Sequence, residues 1–141
     1  MTKAILPTLL CCLCLSYAPH LFAQNEKLSQ ALNAQVSVSG EMTTDKFQQL
    51  IKNGFKSVIV NRPDQEQGNR ISVSQLRQIA EQSYVSVIYQ PIVNGQITQT
   101  DVIEFSKYYK ELPKPILMVC RSGSRSSLLF NQAQSQGLLH E

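Results

Sequence analysis

The pattern of apolar and polar positions changes period repeatedly along this chain, which predicts that strands and helices follow one another in turn. Short apolar or alternating runs that end at turn residues predict strands, and apolar residues at helical spacing behind a serine or threonine predict helices. The predicted strands are Val36–Ser39, Ser57–Val60, Val85–Tyr89 and Ile116–Val119, and the helices begin near Thr43 or Thr44, Ser72 or Ser74, and Thr100, with a last one around Leu128–Phe130.

This alternation indicates the α/β class, with a single domain built on a mainly parallel sheet that is flanked by helices. Ligands of such sheets bind beyond the carboxyl ends of the strands. We therefore expect three segments to meet there, namely 61–66, 91–95 and the loop that begins at Cys120. The domain is predicted to span 35–141, with residues 24–34 as an N-terminal extension.

The first 23 residues are predicted to be a secretory signal peptide. Lys3 gives a positive start, the stretch from 4 to 18 is mostly apolar and uncharged, and a cut after Ala23 fits the end of the segment. The mature protein is then expected in the periplasm or outside the cell. Of the four cysteines, three would leave with the peptide (Cys11, Cys12 and Cys14), so Cys120 would remain as a single thiol that cannot form an internal disulfide.

The strongest chemical signal is the segment Cys120–Ser126, which follows the last predicted strand and precedes a helix. Gly123 allows the loop to turn successive backbone N–H groups toward one point, and the helix adds its positive N-terminal end. Arg125, helped by Arg121, favours the thiolate form of the cysteine. The sequence therefore predicts an anion-binding loop with Cys120 as a nucleophile, Arg125 as a second catalytic residue, and substrate contacts from the rest of the loop (Arg121, Ser122, Gly123, Ser124 and Ser126).

Arg62 and Asp64 follow the second predicted strand and are further candidates, Arg62 for binding substrate and Asp64 for catalysis. Asp64 could donate a proton or orient an arginine. The alternative is a turn carboxylate beside Pro63.

Composition excludes several other classes of function. Thirteen basic residues face ten acidic ones, and removing Lys3 leaves twelve without any Lys/Arg block, so we expect neither nucleic acid nor, after processing, a membrane as partner. His20 lies in the predicted signal peptide and His140 next to the last residue. A Cys-His protease or a His-ligated zinc site is therefore not expected, and we predict no metal and no cofactor.

Several motifs occur together and in order, and the chain resembles the phosphatase-like domain family of beta-lactamase hydrolase-like proteins, also called DUF442. The resemblance covers roughly 35–137, and its motifs are Ser37–Gly40, Gly54–Ile59, Asn61–Asp64 and Cys120–Ser126. It implies the fold of the cysteine-dependent phosphatases of the dual-specificity kind, with the active loop between the last strand and its helix.

Two departures from tyrosine phosphatases bear on the reaction. Four residues separate Cys120 from Arg125, where those phosphatases have five, and rhodanese-type sulfurtransferases are similar in using the shorter loop. The segment 89–94, where such phosphatases place their general acid, contains no carboxylate. Both departures favour sulfur transfer, in which Cys120 carries a persulfide between a small anionic sulfur donor and an acceptor thiol and no general acid is needed.

Two alternatives remain open. One is hydrolysis of a phosphomonoester through a phosphocysteine, in which Arg125 binds two phosphate oxygens and Ser126 assists the leaving thiolate. The other is a non-catalytic thiol that binds an anion or senses oxidants.

Overall fold

A five-stranded sheet in the order β1-β2-β5-β3-β4 forms the centre of the molecule. The structure is a computed structural model that describes residue 4 and residues 27–140, so the predicted signal peptide and its cysteines lie outside the described residues. The strands are β1 (Gln30–Ala31), β2 (Val36–Ser39), β3 (Ser57–Val60), β4 (Ser86–Tyr89) and β5 (Ile116–Val119). The helices are α1 (Thr44–Lys52), α2 (Val73–Glu81), α3 (Gln99–Glu111) and α4 (Ser124–Ser135).

The sheet is parallel except at one edge. β5 lies between β2 and β3 and pairs with both in parallel, and β3 pairs in parallel with β4, so four carboxyl ends meet on one side. β1 pairs with β2 in the antiparallel direction. β1 lies within 24–34, for which the sequence predicts only an extension, because a strand of two residues is too short to show a period.

Two apolar layers enclose the sheet, and the strands supply both of them because successive side chains point to opposite faces. Val58 and Leu117 face the layer formed with α1 and α2, where Phe47, Leu50 and Leu76 are buried. The opposite face packs against α3 and α4 through Ile59, Met118, Phe105, Leu129 and Phe130. All four residues of β3 and of β5 are buried, as expected for central parallel strands.

The helix starts follow local capping. Thr43 caps α1, and Ser72 caps α2 in a capping box with Gln75. α3 begins at Gln99 instead of at the predicted Thr100, because Thr98 forms a capping box with Asp101. Within residues 27–140 and residue 4, no helix has the length and apolar character needed to cross a membrane.

Candidate active site

The loop after the central strand β5 holds the cysteine. Cys120 donates its backbone N–H to Ser39 O at 3.2 Å, which fixes the start of the loop to the end of β2. Its side chain lies beneath the loop and is 1% exposed. Gly123 N–H donates to Cys120 Sγ at 3.0 Å, so the backbone of the loop contacts the sulfur directly.

Two glycines allow this loop to close. Gly123 caps α4 with φ of 87°, a left-handed conformation that favours glycine. Gly40 lies against the other side of the loop, where an added Cβ would be 3.1 Å from Arg121 O and 3.2 Å from Ser122 Cα. A side chain at position 40 would therefore press on the backbone of the loop.

The loop opens onto the N-terminus of a twelve-residue helix, α4. The first amides of a helix have no intrahelical acceptor, and the helix dipole adds partial positive charge at the same point. Ser127 is the first residue of α4 whose amide donates to a loop carbonyl, that of Gly123 at 2.9 Å. The amides of Arg125 and Ser126 can thus serve an anion held above Cys120, whereas that of Ser124 donates to Ser122 Oγ at 3.4 Å.

Arg125 reaches from the first turn of α4 to the ends of β3 and β4. Its Nη1 donates to Ile92 O at 2.8 Å and to Asn61 O at 3.4 Å, and its Nη2 donates to Glu66 Oε1 at 2.7 Å. The side chain is buried, and its Nε has no hydrogen-bond partner within the described part of the chain. A planar guanidinium that is held from one side in this way retains donors for an anion.

Glu66 lies between two buried arginines. Its Oε1 accepts from Arg125, and its Oε2 lies 2.7 Å from Arg62 Nε, a charge contact without the alignment of a hydrogen bond. Arg62 also contacts Glu41 Oε2 at 2.8 Å and Gln67 O at 3.0 Å. Two carboxylates therefore balance the two guanidinium groups, which makes burial of both arginines possible.

Ser126 and Asn61 tie the same helix to β3. Ser126 Oγ donates to Asn61 Oδ1 at 2.8 Å, and Asn61 Nδ2 donates to Gln90 O at 3.1 Å. Both residues are fully buried. The single hydroxyl hydrogen of Ser126 is thus directed at Asn61, so its assistance to a leaving thiolate would require that this bond rearrange.

The predicted site residues other than Asp64 fall into three groups. Cys120, Gly123, Arg125 and Ser126 meet at the loop, while Arg121, Ser122 and Ser124 are exposed on its outer side. Arg62 is 4% exposed and already has three protein partners, so its contacts favour a role in holding Glu66 over a contact with substrate. The predicted meeting of three strand ends is present, because Arg125 contacts both Asn61 and Ile92.

Asp64 is directed away from the cysteine loop. Its Oδ1 accepts from Val73 N at 2.8 Å at the start of α2, and its own backbone N–H donates to Tyr89 Oη at 2.8 Å. These contacts favour the turn-carboxylate interpretation over the predicted catalytic one.

We expect Asp64→Asn to keep its activity within about threefold and to leave the pH–rate profile unchanged, because the amide oxygen can still accept from Val73. Asp64→Ala should lower stability by about 1 kcal/mol, the usual cost of losing such a contact at a helix start. Thermal unfolding together with a pH–rate profile checks both variants. A large loss of activity with a lost limb of the profile in Asp64→Asn would restore Asp64 as the acid.

The loop between β4 and α3 contains no acidic side chain. Its residues from 90 to 98 carry no Asp or Glu, and the nearest carboxylate, that of Asp101, accepts from Thr98 N at 2.8 Å at the start of α3. The described residues also contain no group of three or more His, Cys, Asp or Glu side chains placed to hold a metal ion.

Sequence reasoning missed three residues of this site, namely Glu41, Glu66 and Asn61. Asn61 and Glu66 lie in the segment that was expected to face Cys120, but they were given no role. A signal was present, because two arginines buried at one site need a counter-charge, and Glu66 is the nearest carboxylate after Arg62 apart from Asp64.

A cysteine at the floor of a loop between a central parallel strand and a helix, followed by a buried arginine, is the arrangement of cysteine-dependent phosphatase-like domains. The chain belongs to the family described as beta-lactamase hydrolase-like protein, phosphatase-like domain, whose model matches residues 29–137. The resemblance inferred from the sequence motifs is thereby confirmed.

Known relatives agree with this membership. The beta-lactamase hydrolase-like protein of Xylella fastidiosa (strain Temecula1 / ATCC 700964) is 26% identical over 99 residues, which are 70% of this chain and 23% of that protein. The chain thus matches about a quarter of the length of that relative.

Solved structures share the fold. A candidate phosphatase from Neisseria meningitidis Z2491 is 29% identical, with a TM-score of 0.71 and coverage of 77% of both chains. The core catalytic domain of a PP-IP phosphatase from S. cerevisiae is 11% identical, with a TM-score of 0.56 and coverage of 80% of this chain and 76% of that one. The predicted fold class, a single α/β domain of the cysteine-phosphatase type, is confirmed.

These similarities bear on the order of the predicted reactions. They support a phosphatase-like hydrolase. They give no support to sulfur transfer, its sulfur donor or its acceptor thiol, which the sequence analysis had favoured. Family membership therefore favours the phosphatase alternative over sulfur transfer.

Proposed function

We propose that this protein hydrolyses phosphate monoesters through a phosphocysteine on Cys120. The observation that carries the proposal is the position of Cys120 Sγ at the floor of an anion-binding loop, 3.0 Å from Gly123 N and in front of the N-terminus of α4. Family membership and the phosphatase-like fold support the same reaction.

In the first step the Cys120 thiolate attacks phosphorus, the S–P bond forms, and the bond to the ester oxygen breaks. The loop amides and Arg125 bind the non-bridging oxygens, whose charge they stabilise in the transition state. Glu66 holds Arg125 in place through the 2.7 Å contact to Nη2. In the second step water attacks phosphorus, the S–P bond breaks, and phosphate and the thiolate are released.

Protonation of the leaving oxygen is the step for which this site is least equipped. The segment 90–98 has no carboxylate, and Asp64 is engaged at the start of α2. Both carboxylate oxygens of Glu66 already contact arginines, Oε1 with Arg125 and Oε2 with Arg62, so neither oxygen is directed at a leaving group. Esters whose leaving group departs as a stable anion are therefore the substrates that fit the site.

We expect kcat/KM to be at least about a hundredfold higher for p-nitrophenyl phosphate than for phenyl phosphate, because a missing general acid costs most when the leaving group is basic. Values of kcat/KM for a series of substituted aryl phosphates measure this dependence, since kcat/KM reports the first step even when hydrolysis of the phosphocysteine is slower. Equal kcat/KM across the series would show that an acid protonates the leaving group. No turnover of any aryl phosphate, by folded protein whose thiol can be alkylated, would overturn the proposed function.

Sulfur transfer is kept as a second candidate because of one observation, the loop of four residues between Cys120 and Arg125. Its test is the intact mass of reduced protein after incubation with thiosulfate. A gain of one sulfur that reductant reverses, and that Cys120→Ser lacks, would support it.

Export from the cytoplasm, to the periplasm or beyond, is part of the proposal. It is supported by the charge and apolar pattern of residues 1–23. Small phosphate esters, rather than intracellular phosphoproteins, would then be the accessible substrates.

A further inference from the structure

Arg62 is a buried cation of the site to which the proposed reaction gives no task. Its side chain is 4% exposed, and each of its guanidinium nitrogens contacts an oxygen of the protein. Nη1 donates to Glu41 Oε2 at 2.8 Å, Nη2 donates to Gln67 O at 3.0 Å, and Nε lies 2.7 Å from Glu66 Oε2. The guanidinium is thus held on three sides, which fixes the point at which it meets Glu66.

A phosphate ester has no room to contact this guanidinium from the side of the cysteine. Arg62 and Cys120 line the same cavity, whose volume is about 10 Å³ and whose other walls are mostly apolar. A cavity of that size holds at most about one water molecule. An effect of Arg62 on the reaction must therefore be transmitted through another residue.

Glu66 connects Arg62 to the catalytic arginine. One of its carboxylate oxygens lies 2.7 Å from Arg62 Nε, and the other accepts from Arg125 Nη2 at 2.7 Å. The backbone of Glu66 lies in a turn, where its N–H donates to Pro63 O at 3.1 Å, so neither a strand nor a helix holds the residue. Its side chain is 20% exposed and would be free to rotate toward water if Arg62 did not hold it.

The orientation of Arg125 depends on this carboxylate. Nη1 of Arg125 donates to the carbonyls of Ile92 and Asn61, while Nη2 donates to Glu66. Without Glu66 the guanidinium plane can rotate about its Nη1 contacts, and its donors then no longer have a fixed direction. A planar fork loses its advantage over a point charge when its orientation is not fixed.

We infer that Arg62 is a positioning residue of the reaction, which orients Arg125 through Glu66 without contacting the substrate. This inference rests on the proposed function, because it concerns the arginine that binds the phosphate oxygens in that reaction. Arg62→Lys should lower kcat/KM for p-nitrophenyl phosphate by about tenfold or more, since one ammonium group cannot replace three fixed contacts although it keeps the charge.

A double-mutant cycle separates this role from a merely structural one. The value of kcat/KM is measured for wild type, Arg62→Lys, Arg125→Lys and the variant with both changes. In the Arg125→Lys background, Arg62→Lys should cost no more than about twofold, because the fork that Arg62 orients has already been removed. The same large loss in both backgrounds would mean that Arg62 acts independently of Arg125, which overturns the inference.

Arg70→Lys is the matched control, because it makes the same exchange at an exposed arginine. Its kcat/KM should equal that of wild type, and thermal unfolding shows whether each variant is folded. If Arg62→Lys does not fold, Glu66→Gln tests the same link, because the inferred route from Arg62 to Arg125 passes through Glu66. A loss in Glu66→Gln that disappears in the Arg125→Lys background supports the inference, and a folded Glu66→Gln with the kcat/KM of wild type overturns it.

Failure of the proposed function is seen separately, as absence of aryl phosphate turnover by the wild-type protein. Turnover by wild type together with an unchanged kcat/KM in folded Arg62→Lys removes the positioning role alone.

Discussion

Replacing Cys120 by serine is expected to lower the turnover of p-nitrophenyl phosphate by at least about a thousandfold. The sulfur lies in the field of the loop amides and accepts the Gly123 N–H at 3.0 Å. A serine hydroxyl in the same place stays protonated near neutral pH and is a far weaker nucleophile than a thiolate. Initial rates on folded protein measure the loss.

Ser135→Ala provides the matched control, because Ser135 is an exposed serine at the far end of the same helix. Its rate should equal that of wild type. Thermal unfolding shows whether Cys120→Ser is folded, and binding of phenylphosphonate by the variant shows whether its loop is intact. A folded Cys120→Ser protein that retains turnover would remove the cysteine from the mechanism.

The second large effect is expected at Arg125, where Arg125→Lys should lower kcat/KM by about a hundredfold to a thousandfold. One guanidinium contacts Ile92 O, Asn61 O and Glu66, and among residues 27–140 its Nε still has no hydrogen-bond partner. An ammonium group is a point charge that cannot hold these contacts and an anion together. The variant should also unfold at a lower temperature, because Glu66 loses one of its two partners while it is largely buried.

Arg121→Lys is the comparison within the same loop. Arg121 is exposed, so kcat/KM should stay within about threefold of wild type. Equal losses in both variants would mean that positive charge around the loop matters and that the planar, hydrogen-bonded guanidinium of Arg125 does not. A fully active Arg125→Lys would exclude its guanidinium from catalysis.

Much of the fold is predictable from the sequence, because the apolar pattern and the capping residues of most segments indicate the same element. The strands from 36, 57 and 116 lie where the sequence predicts them, because β3 and β5 are continuous apolar runs that are buried on both faces. Thr98 was missed as a cap because Thr100 offers the same chemistry two residues later, and only the pairing with Asp101 decides between them. β1 depends entirely on its partner β2 and has no pattern of its own.

The candidate site was predictable only in part, because some of its contacts join residues that are far apart in the sequence. Cys120, Gly123 and Arg125 are adjacent in sequence, so the loop could be recognised from its spacing. Glu66 pairs with Arg125 across 59 positions, and Asn61 pairs with Ser126 across 65. Such contacts appear only when parallel strands bring distant loops together, which is why Asp64 was preferred over Glu66.

The most direct test of the central claim is rapid mixing of the protein with p-nitrophenyl phosphate, followed by an acid quench. The masses of the intact protein and of its peptides are then measured. Without a carboxylate to activate water, the second step should be slow, so the account predicts a burst of p-nitrophenol and one phosphoryl group on the peptide that contains Cys120. Turnover without a burst and without phosphorylated Cys120, or a phosphoryl group that also forms in Cys120→Ser, would contradict it.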